Sequence, residues 1–252
     1  MTARQLSLGG VNGGGVDSVI SVVSRSGSIV TAIEPAATFT NATPSSAAGG
    51  ADTLLTSAGV HGLTSAVAVG VSIYVSGGTG WTVGFHVITA IAVDTTGTTI
   101  QLDTPFDAGM GVPTIALANT EITLASFTVE ANSMGPTGIL IVDPTFSSND
   151  TSATSKIWRL RFGGTQFYGV TVTTSPATHP APISIHNRGA ANTQVNSFSI
   201  TAASHSGSVA SAPATGTVDT TSDVTVLLTA QPAAANIVVR LERYWAFLLP
   251  GV

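Results

Sequence analysis

Apolar and polar residues alternate along most of this chain with a period of two, the mark of half-buried strands. In the middle of the chain the pattern predicts strands over Thr53–Ser57, Ser72–Val75, Phe85–Ala92 and Thr99–Leu102, with turn chemistry at Gly77-Gly78-Thr79-Gly80 and Asp94-Thr95-Thr96-Gly97 between them. The run AVAVGVSIYV, Ala66 to Val75, also alternates like a strand and is too short to span a bilayer. Phe85–Ala92 is apolar at both phases, which predicts a central strand covered on both faces.

From Glu121 onward strand signals recur at short intervals: Glu121–Glu130, Gly138–Phe146, Lys156–Phe162, Gln166–Thr173, Ala181–Asn187, Asn196–Ala202, Gly216–Thr220, Asp223–Thr229 and Asn236–Leu248. Arg159 and Arg161 alternate with Trp158, Leu160 and Phe162. In the last strand Arg240, Glu242 and Tyr244 are expected on one polar face, opposite Val239, Leu241, Arg243 and Trp245. Nowhere does the pattern support a helix of more than two turns.

Residues 1–50 differ. Gly9-Gly10 and Gly13-Gly14-Gly15 break any regular element, two short strands fit Val19–Ser24 and Ser28–Ile33, and 34–51 read as linker. The expected architecture is all-β in three parts: an N-terminal extended arm and linker (1–50), a small β-barrel (51–119) and a C-terminal jelly-roll β-sandwich (120–252). Removing residues 1–40 is expected to leave the rest folded.

Composition narrows the function classes. Only 8% of the 252 residues are charged, against ~25% in an ordinary soluble domain, and 43% are hydrophobic. A net charge of −5 and a single lysine, Lys156, argue against a nucleic-acid partner. The charge is split: residues 1–155 carry two basic side chains against ten acidic, residues 156–252 six against three. With no cysteine there is no disulfide framework, and no signal-peptide pattern follows Met1, so synthesis in a cytoplasm without secretion is expected. No membrane span is expected.

Catalytic chemistry is thinly represented. His61, His86, His179, His186 and His205 are too far apart in sequence for a local metal motif; no metal or cofactor is expected. His61, between Gly59 and Gly62, reads as a turn histidine bonded to backbone rather than a base or ligand. Asp94, Asp103 and Asp107 could supply a glycosidase pair, but each stands in a turn context where aspartate bonds backbone, so no enzyme is expected. Asn41-Ala42-Thr43 and Asn149-Asp150-Thr151 match glycosylation acceptors, as chance allows in a Ser/Thr-rich chain. Trp81, after a glycine-rich turn, could stack on a sugar; Trp245, in Tyr244-Trp245-Ala246-Phe247-Leu248-Leu249, suits core or subunit-interface packing.

Two stretches carry a family resemblance. Residues 54–107 run from HGL (61–63) through Gly70 and Tyr74, a Gly/Trp turn, ITAI (88–91) and TTIQLDTPF (98–106). The second joins Trp158–Tyr168, Ile185–Gly189 and the terminal Leu248-Leu249-Pro250-Gly251-Val252. The first resembles a small β-barrel module of tailed-bacteriophage fibres and spikes, and the second is similar to the C-terminal jelly roll of phage virion appendages. The resemblance implies a homotrimeric structural protein of the virion, assembled in the host cytoplasm: a capsid decoration protein, head spike or head fibre, or alternatively a tail fibre contacting host surface glycan through the jelly roll. It implies capsid anchoring by the arm, through Leu6, Leu8, Val11, Val16, Val19 and Ile20 to the major capsid protein or another virion protein. It further implies a trimer interface at Trp245, Phe247, Leu248 and Leu249, and a possible host-glycan contact at Trp81.

Overall fold

The computed structural model describes residues 21–25, 30–44, 52–149, 154–173, 178–199 and 213–251. The chain is all-β, as its alternation predicts. The strands β1 (Ser21–Arg25), β2 (Val30–Ala32), β3 (Phe39–Pro44) and β4 (Asp52–Ser57) come first, followed by one helical turn, α1 (Ser65–Ala68). Next come β5 (Ser72–Gly77), β6 (Gly84–Ile91), β7 (Thr99–Pro105) and β8 (Thr114–Ile115). The second half holds β9 (Ile122–Val129), β10 (Ile139–Ser148), β11 (Lys156–Phe162), β12 (Thr165–Val172) and β13 (Thr178–Pro180). It continues with β14 (Ile183–Asn187), β15 (Gln194–Ser199), β16 (Pro213–Gly216), β17 (Val224–Pro232) and β18 (Val239–Leu249).

Two sheets face each other across the larger core. One has the order β12-β11-β17-β9; the other contains the run β16-β15-β14-β10-β18. Their inward residues stack directly: Phe146 of β10 lies parallel to Trp158 of β11 with centroids 5.6 Å apart, and Phe127 of β9 lies on Tyr244 of β18 at 5.7 Å. His179 continues the Trp158 stack at 5.8 Å, and its Nε2 bonds the Tyr168 hydroxyl. Full burial of such side chains stabilises the fold by roughly 1.5–3 kcal/mol each.

The smaller core is lined by β3, β4, β5, β6, β7 and β8 through Phe39, Leu55, Ile73, Ile88, Ile100 and Ile115. The ladders run in the order β3-β4-β7-β6-β5, with β8 also on β5. Ladder pairing makes β6 a middle strand, but Thr89 and Ala90 are exposed, so it is not covered on both faces. The alternating run from Ala66 divides: Ser65–Ala68 coil into α1, Gly70 turns at φ 84°, and β5 begins at Ser72. Asp94 makes the helical turn possible, its Oδ1 accepting the Ser65 amide at 2.7 Å and its Oδ2 the Ser65 hydroxyl at 3.1 Å.

The stretch expected as arm and linker is part of the sheets from residue 21: β1 pairs antiparallel with β18, from Ser21 opposite Leu248 to Arg25 opposite Tyr244. β2 pairs with β18 and touches β5 in parallel at Ala32–Ser72, and β3 pairs with β4. Ala32 points into the larger core and Ile33 into the smaller one; Val239 and Val238 divide in the same way. These adjacent pairs form the wall shared by both cores, so a deletion through residue 40 removes its Ala32-Ile33 half.

A bulge sets the faces of β18. Thr145 pairs with Arg243 but Phe146 pairs with Leu241, leaving Glu242 as the extra residue. The expected alternation therefore reverses after Leu241: Tyr244, Ala246 and Leu248 point into the core, while Arg243, Trp245, Phe247 and Leu249 lie on the outer face.

Candidate functional site

The outer face of β18 and β10 is the most unusual surface. On β18 it carries Trp245, Phe247 and Leu249, with Trp245 42% and Leu249 38% exposed although both are large and apolar. Trp245 and Phe247 lie parallel, centroids 6.3 Å apart, and the Arg243 guanidinium covers Trp245 at 5.9 Å. On β10 the residues directly opposite are Ile139 beside Leu249, Ile141 beside Phe247 and Asp143 beside Trp245. One strand further, His186 and Ser184 of β14 pair with Ile139 and Ile141, and their side chains bond each other at 3.1 Å. The result is an apolar stripe with a polar margin.

Of the four residues expected at a subunit interface, Trp245, Phe247 and Leu249 share this face. Leu248 does not: the two-residue period turns it into the larger core, where it is buried. Sequence reasoning missed Ile139 and Ile141, because only strand pairing brings them beside β18. The anchoring residues Leu6, Leu8, Val11, Val16, Val19 and Ile20 lie outside the described residues.

Trp81 is not a surface platform. It is only 8% exposed, its indole N–H donates to the Gly111 carbonyl at 2.8 Å, and it meets the His86 ring edge-on. The turn before it makes this possible: Gly78 has φ 129°, and a Cβ there would lie 2.9 Å from the Pro113 Cα. The glycine-rich turn thus folds the tryptophan inward.

The acid and base candidates are occupied with backbone. Besides Asp94 at α1, Asp103 accepts the Val87 amide at 3.0 Å and Asp107 the Gly109 amide at 3.2 Å. His61 is fully buried; its Nδ1 accepts the Leu63 amide at 3.0 Å, which places the ring proton on Nε2, and burial lowers its pKa. Its backbone accepts from Ala36 and donates to Gly97, so it ties the turn as expected. Asn149 Oδ1 accepts the Val238 amide at 2.8 Å. No group of three metal-ligating side chains occurs among the described residues.

Two carboxylates that pattern reading passed over stand apart. Glu121 accepts Arg161 Nε and Nη2, each at 2.7 Å, and the Thr229 hydroxyl at 2.6 Å, with Arg159 Nη1 3.3 Å away. The Arg161 hydrogen bonds outweigh the cost of burial and, with Thr229 and Arg159, hold its pKa down at about 2. Glu34 is 1% exposed, and neither oxygen has an aligned hydrogen-bond partner among the described residues. The Thr120 backbone favours the anion, but burial outweighs it and pushes the pKa up to about 9.

Compared with known proteins, the chain matches no family model, no curated protein and no solved structure.

Proposed function

We propose that this chain is a structural subunit of a tailed-phage virion, a homotrimeric capsid decoration or head-spike protein held to the shell by its N-terminal residues. The observation that supports assembly is the stripe of Trp245, Phe247 and Leu249 on β18 beside Ile139 and Ile141 on β10. Trp245 and Leu249 are exposed and Phe247, Ile139 and Ile141 half-buried, and apolar side chains left at the surface in one row mark contact sites. Each large side chain buried there contributes roughly 1.5–3 kcal/mol. The low charge of the chain fits the same reading, since a neutral sheet face can be covered without stranding unpaired ions.

Sedimentation of the purified full chain tests the assembly. A trimer is expected, and Trp245→Asp is expected to give a folded monomer with an unchanged circular dichroism spectrum. A wild-type monomer at ~100 µM, where contacts of about 5–6 kcal/mol would still associate, overturns the homotrimer. Reconstruction of virions carrying the protein tests the place: trimeric knobs on the shell are expected, and absence from the virion overturns the reading.

A further inference from the structure

The start of β12, the turn between β14 and β15, and the end of β16 converge on an open groove of about 620 Å³. That lies within the range of small-ligand sites, roughly 300–1,000 Å³. Its lining is Thr165, Arg188, Thr193, Gln194 and Thr215–Thr217; no carboxylate takes part. Among the described residues no acidic side chain pairs with Arg188, and no hydrogen bond engages the hydroxyls of Thr165, Thr215 or Thr217.

The groove has a fixed floor. Gln194 is buried and fully engaged: Nε2 donates to Asn187 Oδ1 at 2.7 Å and to the Val218 carbonyl at 2.9 Å, while Oε1 accepts the Val218 amide at 2.8 Å. Asn187 is buried in turn, donating to the Gly135 carbonyl at 2.8 Å and to the Thr220 hydroxyl at 3.1 Å. Gly216 lies flat on Phe167, where a Cβ would stand 2.6 Å from the ring. The Arg188 backbone is held by Thr193, its amide donating to the Thr193 carbonyl at 2.8 Å and its carbonyl accepting the Thr193 hydroxyl at 3.3 Å. Arg188 is therefore held through its backbone on a braced turn and lines the groove together with the threonines.

We infer that this groove binds an acidic saccharide, Arg188 holding its carboxylate and the threonine hydroxyls its ring hydroxyls. A guanidinium matches a carboxylate with two parallel hydrogen bonds. Free hydroxyls can donate and accept, which suits a polyol and is wasted on a purely apolar ligand. The site is independent of the assembly face, whose residues lie on β18 and β10.

Titration of the ¹⁵N-labelled full chain with N-acetylneuraminic acid and with glucuronic acid tests this, with glucose as the neutral control. At least one acid is expected to shift amides of Arg188–Gln194 and Thr215–Thr217, binding about tenfold tighter than glucose through the charged pair. Arg188→Gln, an exposed change that leaves the floor intact, is expected to abolish that preference; Thr217→Val is expected to weaken both acids and glucose. No shift by either acid up to ~50 mM, well above the ~1 mM scale of weak sites, overturns the inference. So do shifts confined to other residues, equal binding of glucose, or binding unchanged in Arg188→Gln.

Discussion

Glu34 and Glu121 sit around the same short stretch of chain and meet opposite fates. Glu121 begins the outer edge of the four-stranded sheet, where β11 and β17 bring two arginines and a threonine to it. Glu34 lies at the wall between the two cores. Its neighbours are pinned on both sides, Ile33 to Ser72, Ala36 to His61 and Pro35 to Ala118, which keeps the carboxyl inside with no cation among the described residues to meet it. Identical side chains are thus an anion with a pKa near 2 and a neutral acid with a pKa near 9. Burial is common to both; what separates them is whether pairing strands deliver a partner.

The largest expected effect comes from breaking the satisfied site. Glu121→Leu leaves Arg159 and Arg161 unpaired in a half-buried setting and should cost about 2–3 kcal/mol in urea unfolding at pH 7. A loss near zero would show that water already screens the cluster. Glu34→Gln should do the reverse at pH 8, stabilising by about 1–2 kcal/mol, because the amide cannot ionise and the unfolded chain no longer gains by ionising there. At pH 4, where Glu34 is protonated in both states, the same substitution should change stability little; equal effects at both pH values would refute the neutral-acid assignment.

The smallest and most general test is the wild-type pH profile. A raised carboxyl gives stability that is complete below its unfolded pKa and lost as pH rises, so Glu34 should lower stability between pH 4.5 and about 9. A lowered carboxyl gives stability lost as pH falls, so Glu121 acts between pH 4.5 and about 2. His61, lowered by burial, adds a loss as pH falls below 6.5. The profile should decline above pH 6.5, where Glu34 acts alone, flatten below pH 6.5 as His61 begins to oppose it, and fall below pH 4.5 as Glu121 is protonated. Thermal unfolding across this range reads it directly, and stability rising from pH 6.5 to 9 would contradict the Glu34 assignment. In Glu34→Gln the alkaline decline should vanish.

Strand positions were legible because alternation and turn residues are local. Lys156–Phe162 is read to the residue, and Val224–Pro232 to within a few. β3 was missed because Phe39 is its one buried side chain among polar neighbours, so it has no two-residue signal; only its ladder with β4 makes it a strand. The helical turn at Ser65 was missed because its cap, Asp94, is distant in sequence. The candidate site was half legible. Trp245, Phe247 and Leu249 stand out as an apolar terminus, but Leu248 and Trp81 were misplaced by faces that depend on a partner strand and on a folded-back turn.

The sequence by itself determined an all-β chain, sparse in charge, with most of its strands and turns in place, because these follow from period, propensity and composition within a few residues. Tertiary structure alone decided which side of each strand looks outward and which core each residue joins. Ala32 and Ile33 are neighbours of similar character, yet they enter different cores. Glu242 is an ordinary strand residue until the pairing with β10 makes it a bulge and turns Trp245 to the surface. A strand's period fixes that its sides differ; only the neighbour it pairs with fixes which side is buried.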